Sequence, residues 1–253
     1  MKPMHSLGSL AVLGLVVLAW EFGPPLAGVP RYIIPTASQT WAELMLMIPR
    51  HNLAKHLLST ITMTALGFVI GAAFGAAAGY LLGLSTFWER VLSPYLLALQ
   101  IAPKVAFAPL FIMWFGYTAW PKLLVTILIV FFPILVNVLQ AMKTVDRDLV
   151  NLARAYSLSR WQIFWKIEFP ASMPALLAGL RIGATLAVIG VTVGELVGGN
   201  TGLGFLITYG EGQANAAMVF NAILLLTLIG IALYAVVAAA EKRILHYIPR
   251  VQR

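Results

Sequence analysis

Residues 57–83 read LLSTITMTALGFVIGAAFGAAAGYLLG, and between His56 and Glu89 the chain carries no Asp, Glu, Lys or Arg. A helix needs about 20 consecutive, mostly apolar residues to cross a bilayer, and this stretch supplies them. It lacks the apolar–polar alternation of the roughly ten-residue strands in a membrane barrel. The intervals from Lys122 to Lys143 and from Glu211 to Glu241 are equally empty of charge. Over all 253 residues, 60% are hydrophobic and only 10% charged. A soluble domain carries about 45–50% apolar and about 25% charged residues, so the composition excludes one. The expected fold is all-α, a polytopic membrane protein.

Six spans fit, at roughly residues 7–29, 57–83, 91–115, 121–142, 174–197 and 217–240, in a single transmembrane domain covering 1–253. No internal repeat or low-complexity linker interrupts them. The apolar run from Leu7 to Ala19 competes with a signal-peptide reading. It has one Lys ahead of it, no clear A-x-A site, and apolar sequence resuming after Glu21, so it reads as an uncleaved first span. Gly23-Pro24-Pro25 should break that span, and Glu21 belongs to the interface at its far end. Thr36 to Met47 reads as a short amphipathic helix with Thr36 and Gln39 as a capping box.

The net charge of +8 would suggest nucleic acid in a soluble protein. Here it reads as a topology signal, because Lys and Arg collect in loops on the cytoplasmic side. With the N-terminus inside, that side holds Lys2, Arg90, Lys143, Arg147, Arg154, Arg160, Lys166, Arg181, Lys242, Arg243, Arg250 and Arg253. The other side holds Arg31, Arg50, Lys55 and Lys122. The asymmetry and the even number of spans both place the two termini in the cytoplasm. The largest hydrophilic loop, 143–173, is then cytoplasmic. Asp146 to Tyr156 can form one short helix and Ser159 to Ile167 another, with Ser159 and Gln162 as its capping box. Trp161, Phe164, Trp165 and Phe169 crowd this loop. They can pack on the ends of their own spans, or dock a cytoplasmic partner, or both.

Within the loop, Asn151-Leu152-Ala153 is followed after three residues by Ser157, and nine residues later by Ile167-Glu168-Phe169-Pro170. This spacing resembles the EAA motif of bacterial ABC importer permeases, E-A-A-x3-G-x9-I-x-L-P. The departures are Asn151 for Glu, Leu152 for Ala, Ser157 for Gly and Phe169 for Leu. Arg31-Tyr32-Ile33-Ile34-Pro35-Thr36, the run from Pro103-Lys104-Val105 to Trp114-Phe115-Gly116, Gly194-Glu195-Leu196 and Gly202-Leu203-Gly204 resemble the sulfonate, taurine and nitrate permeases of that family. The resemblance implies a type I importer-like fold with a cytoplasmic coupling helix–turn–helix, in a bacterial inner membrane. It also implies that Asn151, Ala153, Arg154, Ala155, Tyr156, Ser157, Leu158, Ser159, Arg160 and Pro170 couple the chain to an ATP-binding subunit. The implied partners are two copies of that subunit, a periplasmic or lipoprotein solute-binding protein and a second permease copy. ATP and Mg would be bound by the ATPase partner and no cofactor by this chain, which has no G-x-x-x-x-G-K-[ST]. The solute would be small, and anionic or heterocyclic.

Inside the spans, Lys104 stands between Pro103 and Pro109. A charge at the bilayer centre costs roughly 2.5–3.5 kcal/mol on insertion scales, so Lys104 must face protein, water or a ligand. It is either a translocation-path cation or a structural lysine that snorkels or pairs. Glu195 is a second path candidate. It can pair with Lys104, serve a gate, or sit at the interface; the glycines around it suggest a re-entrant or tightly turned segment at the outer mouth. Gly67, Gly71, Gly75, Gly79 and Gly83 recur every four residues and form one smooth helix face suited to close packing. The four histidines show no metal-ligand spacing, and the absence of cysteine excludes disulfides and thiol chemistry. The alternative function is a stand-alone secondary transporter or channel. Repeated halves and paired acidic residues would mark one, and neither is visible.

Overall fold

The computed structural model describes residues 3–247, so Lys2, Arg250 and Arg253 of the charge count lie outside it. The described chain is helical: α1 Pro3–Leu26, α2 Ala37–Arg50, α3 Leu53–Gly83, α4 Thr86–Ile101, α5 Phe107–Phe115, α6 Trp120–Lys143, α7 Arg147–Ala155, α8 Arg160–Ile163, α9 Phe169–Gly198, α10 Leu203–Gly212 and α11 Ala216–Ile244. Among the described residues, four helical stretches are long and apolar enough to cross a membrane, Leu53–Gly83, Trp120–Lys143, Arg160–Gly198 and Ala216–Ile244, and a bent pair passes the same test only when its two helices are taken together. The first expected span falls on α1, whose apolar part, Leu10–Leu26, is shorter than these.

Gly23-Pro24-Pro25 ends α1 as expected: both prolines fall in its final turn and the helix stops at Leu26, short of residue 29. Two local readings are revised. The span expected at 91–115 is not one rod. Thr86–Ile101 and Lys104–Phe115 meet at 74° across Ala102-Pro103, where Pro103 cannot continue the helical hydrogen bonding of α4. The expected second loop helix does not stop at Ile167. It passes through a π-helical turn, Phe164–Glu168, and runs on into α9. The wide turn is closed by the bond from Phe169 N–H to Phe164 O. A π-turn displaces the regular ladder, and Pro170 just beyond it has no donor to add.

The glycine stripe of α3 is a packing face. A Cβ at Gly67 would meet Thr126, at Gly71 Val130, at Gly75 Phe131 O and Ile134, at Gly79 Val138, and at Gly83 Met142. All of these belong to α6. A second stripe on α9 presses on α6 from another side: Gly179 and Gly183 against Ile134, Gly190 against Thr126, Gly194 against Lys122. In membranes, helices associate through such small residues because lipid tails are as apolar as leucine. The α3–α6–α9 core buries Phe68, Val130, Ile134, Val138 and Ala184. A second cluster joins α2, α3, α10 and α11 through Met47, Leu53, Leu203, Leu206, Met218 and Ala222.

α1 touches the rest at few points. Trp20 donates from Nε1 to Pro35 O at 2.8 Å and stacks on Phe220. Glu21 accepts from the Ser38 N–H and hydroxyl at 2.8 and 2.7 Å, so its carboxylate meets the free donors at the start of α2. The Thr36–Gln39 capping box is present.

Candidate functional site

The loop at 143–173, expected to couple the chain to an ATPase, is built as a helix–turn–helix. Asp146 caps α7, and Ser159 with Gln162 forms the capping box of α8. Between the helices, Ser157 takes φ 59°, in the left-handed region. Its N–H donates to Arg154 O at 2.8 Å, and the Leu158 N–H donates to Ala153 O at 3.0 Å. This is the Schellman end of a helix, where glycine is the usual left-handed residue. Ala153 is buried and Leu158 half-buried, so both anchor the turn. Asn151, Arg154, Ala155, Tyr156, Ser157, Ser159 and Arg160 are exposed. Arg160 reaches back to Leu84 O at 2.5 Å, and Lys143 pairs with Glu89 at 2.5 Å, which ties the loop to the α3–α4 corner.

The loop's aromatics divide into two sets. Phe164 and Phe169 pack around Tyr80 of α3, with centroids 5.5 and 5.4 Å away. Trp161 and Trp165 stay 65% and 47% exposed. Pro170 is half-buried in the first turn of α9.

A second feature runs along α9. Thr185, Val188, Ile189 and Thr192 of α9, Ile207 of α10, and Ile223, Thr227 and Tyr234 of α11 belong to the lining of a groove of about 480 Å³. It continues toward the coupling loop past Ile182 to Arg181, whose guanidinium donates to Glu241 at 2.7 Å. On its other flank α9 meets α5 and α6, where Leu186 and Val193 pack against a cluster containing Ala108 and Phe111. Ile182, Thr185 and Ile189 form an exposed strip between these flanks.

Lys104 lies in the 3-10 turn Lys104–Ala106 inside the broken span. Its Nζ donates to Gln100 O at 2.5 Å and stands 4.9 Å from the centroid of Phe132, a cation–π distance. Among the described residues Lys104 has no carboxylate partner. The pairing of Glu195 with Lys104 is therefore corrected, because the cation facing Glu195 is Lys122, 4.0 Å away.

Glu195 is fully buried. The Thr60 hydroxyl lies 3.0 Å from both of its oxygens, and the Gly204 N–H donates to Oε2 at 2.9 Å. Lys122, 5% exposed, donates from Nζ to Ser59 Oγ and to Thr201 O. Sequence reasoning missed Lys122, Thr60 and His56, whose Nδ1 accepts from the Gly202 N–H at 3.1 Å, as a group. A lysine near a span's start reads as a loop charge, and the second glycine stripe, which seats α9 against it, was the available signal. Among the described residues no group of His, Asp and Glu could hold a metal.

Residues 67–246 match the family described as binding-protein-dependent transport system inner membrane component. The chain is 34% identical over 242 residues to the riboflavin transport system permease protein RibX of Chloroflexus aurantiacus, covering 96% of this chain and 90% of that protein. It is 35% identical over 236 residues to the formylaminopyrimidine transport permease protein ThiX of Halalkalibacterium halodurans, with 91% and 92% covered. Its fold is similar to a chain of the MetNI methionine ABC transporter in an inward-facing conformation, at a TM-score of 0.63 and 22% identity over 78% of this chain and 96% of that one. With a family match over most of its length, the chain belongs to the binding-protein-dependent transport system inner membrane components, the permease subunits of ABC importers.

Proposed function

We propose that two copies of this chain, in a bacterial inner membrane with both termini in the cytoplasm, form the path by which a small solute enters the cell. An external binding protein delivers the solute, and two ATP-binding subunits, holding the ATP and Mg, dock on residues 151–170. The observation that carries this reading is the Schellman-ended helix–turn–helix, with Ala155, Tyr156, Ser157 and Ser159 exposed at its tip and Trp161 and Trp165 uncovered beside it. A rigid knob that is locked to the α3–α4 corner and continuous with α9 can pass a push from an ATPase into the membrane. The path would follow the exposed strip of α9 past the hydroxyls of Thr227 and Tyr234, with Lys104 in the broken span as a further path cation. Those groups suit a heterocycle or a small organic anion, and the two relatives named for riboflavin and formylaminopyrimidine support a heterocycle.

The test is an Asp at the knob. Ala155→Asp and Leu158→Asp each place a charge where a cleft would have to bury it without a partner, which is strongly unfavourable. Both variants should insert normally, since the change lies outside the spans. The ATPase should detach in pull-down, or hydrolyse ATP in reconstituted vesicles without driving uptake. Wild-type values for both readings in both variants would remove the loop from the coupling role.

A further inference from the structure

At the end of the molecule opposite the 143–173 loop, α10 contributes to the lining of the groove. Its Ile207 stands with Thr192 and Ile223 at the groove's far limit. The turn that leads into α10 is held by three other helices. His56 of α3 accepts from the Gly202 N–H at 3.1 Å. Thr60, one turn on, accepts from the Leu203 N–H at 2.8 Å and donates its own proton to Glu195 of α9. Glu195 takes the next N–H of α10, from Gly204. Lys122 of α6 holds Thr201 through its carbonyl and hydroxyl, both at 3.3 Å. The first donors of α10 thus end on a fully buried hydroxyl and a fully buried carboxylate. Gly202 has φ 115°, and a Cβ there would run into the Glu195 carboxyl group. The turn therefore fits around the carboxylate and cannot slide past it.

We infer that Thr60, Glu195, Lys122 and His56 are positioning residues of the outer gate, locking the 201–204 turn to α3, α6 and α9 so that α10 stays seated over the outer end of the path. The word outer rests on the importer reading above. None of the four need touch solute. Thr60 is the hub, since its single hydroxyl both donates to Glu195 and accepts from α10. Removing it loosens the seat of α10 and leaves the Leu203 N–H without its acceptor. The gate then opens without the movement of the whole subunit that ATP drives.

The chain has no cysteine, so Ile189→Cys, on the exposed strip beneath α10, would be its one thiol. In the assembled importer without ATP, a membrane-impermeant maleimide added outside should label it slowly. Adding Thr60→Val should speed labelling by about tenfold or more, as expected when a minor open state becomes populated. Thr60→Ser should restore the slow rate. A purely structural role would lower the thermal midpoint and leave the labelling rate alone. Rates within about twofold of each other, or free labelling before Thr60 is changed, overturn the inference. If Thr60→Val does not assemble, Glu195→Gln, which keeps the shape and removes the charge, is read in the same way. Ile182→Cys, at the coupling-loop end of the strip, checks the importer reading separately, since it should label only from the cytoplasmic side. Labelling of Ile182→Cys from outside would sink that orientation; an unresponsive Ile189→Cys alone would sink the gate.

Discussion

Ser157 shows how one residue can be legible in a sequence by position and still be unusual by type. The EAA-like spacing marks it as the turn, and the structure puts it at φ 59° as the left-handed residue of a Schellman end. A side chain there crowds the following carbonyl, a cost of about 1 kcal/mol or somewhat more relative to glycine. Ser157→Gly should therefore steady the turn by about 1 kcal/mol, roughly a fivefold change in an equilibrium. Amide hydrogen exchange at Leu158 would read it as slower exchange, and unchanged or faster exchange would contradict it. Lys122 is the opposite case. Its charge was visible, but its direction was not, because facing is set by the packing of α9 through Gly194. Sequence spacing within α6 contains no trace of that contact. Glu195 was legible as unusual for the same reason that its partner was not. A lone acid inside an apolar run stands out, while the residue that answers it lies 73 positions earlier on another helix.

At the scale of elements, the charge-free runs located the long helices well, and the four-residue glycine repeat of α3 identified a packing face. Hydropathy sums along the chain, so it is blind to a bend. The α4–α5 pair has the composition of one span, and only the two prolines around Lys104 hinted at the break. The same blindness hid the junction of α8 with α9, where two prolines look like a stop and a π-turn carries the helix through. The packing of α6 gives a direct forecast. A methyl at Gly75 would lie 2.6 Å from Phe131 O, and one at Gly79 2.8 Å from Val138 Cβ. Gly75→Ala and Gly79→Ala should each destabilise by about 1–3 kcal/mol through overpacking. Gly14→Ala in α1, where nothing lies within 4 Å, should change the thermal midpoint in detergent little. Equal effects at all three sites would mean that the α3–α6 contact is looser than it stands.

At the scale of the whole molecule, many of the described basic residues fall into two groups. Arg90, Lys143, Arg147, Arg154, Arg160 and Lys166 gather around the coupling loop, and Arg31, Arg50, Lys55 and Lys122 lie toward α2 and α10. Arg181 lies within α9, paired with Glu241. If the loop end is cytoplasmic, as proposed from the excess of positive charge, single cysteines at Gly212 and Ser157 should differ. Both sites are exposed. Gly212→Cys should react with an impermeant reagent in intact cells, and Ser157→Cys only after the membrane is opened; the reverse pattern would invert the topology. The position of α6 between two glycine stripes also bears on how the chain is made. α3 precedes α6 and can receive it at once, but α9 ends 55 residues after Lys143, at Gly198. At about 5–20 residues per second, a ribosome needs roughly 3–11 s to finish it. During that interval the second face of α6, with Asn137 and the backbone of Lys122 that Gly179 and Gly194 will later cover, rests against lipid or whatever insertion machinery shields it. A membrane chaperone that recognises half-assembled chains would meet this one with that face bare.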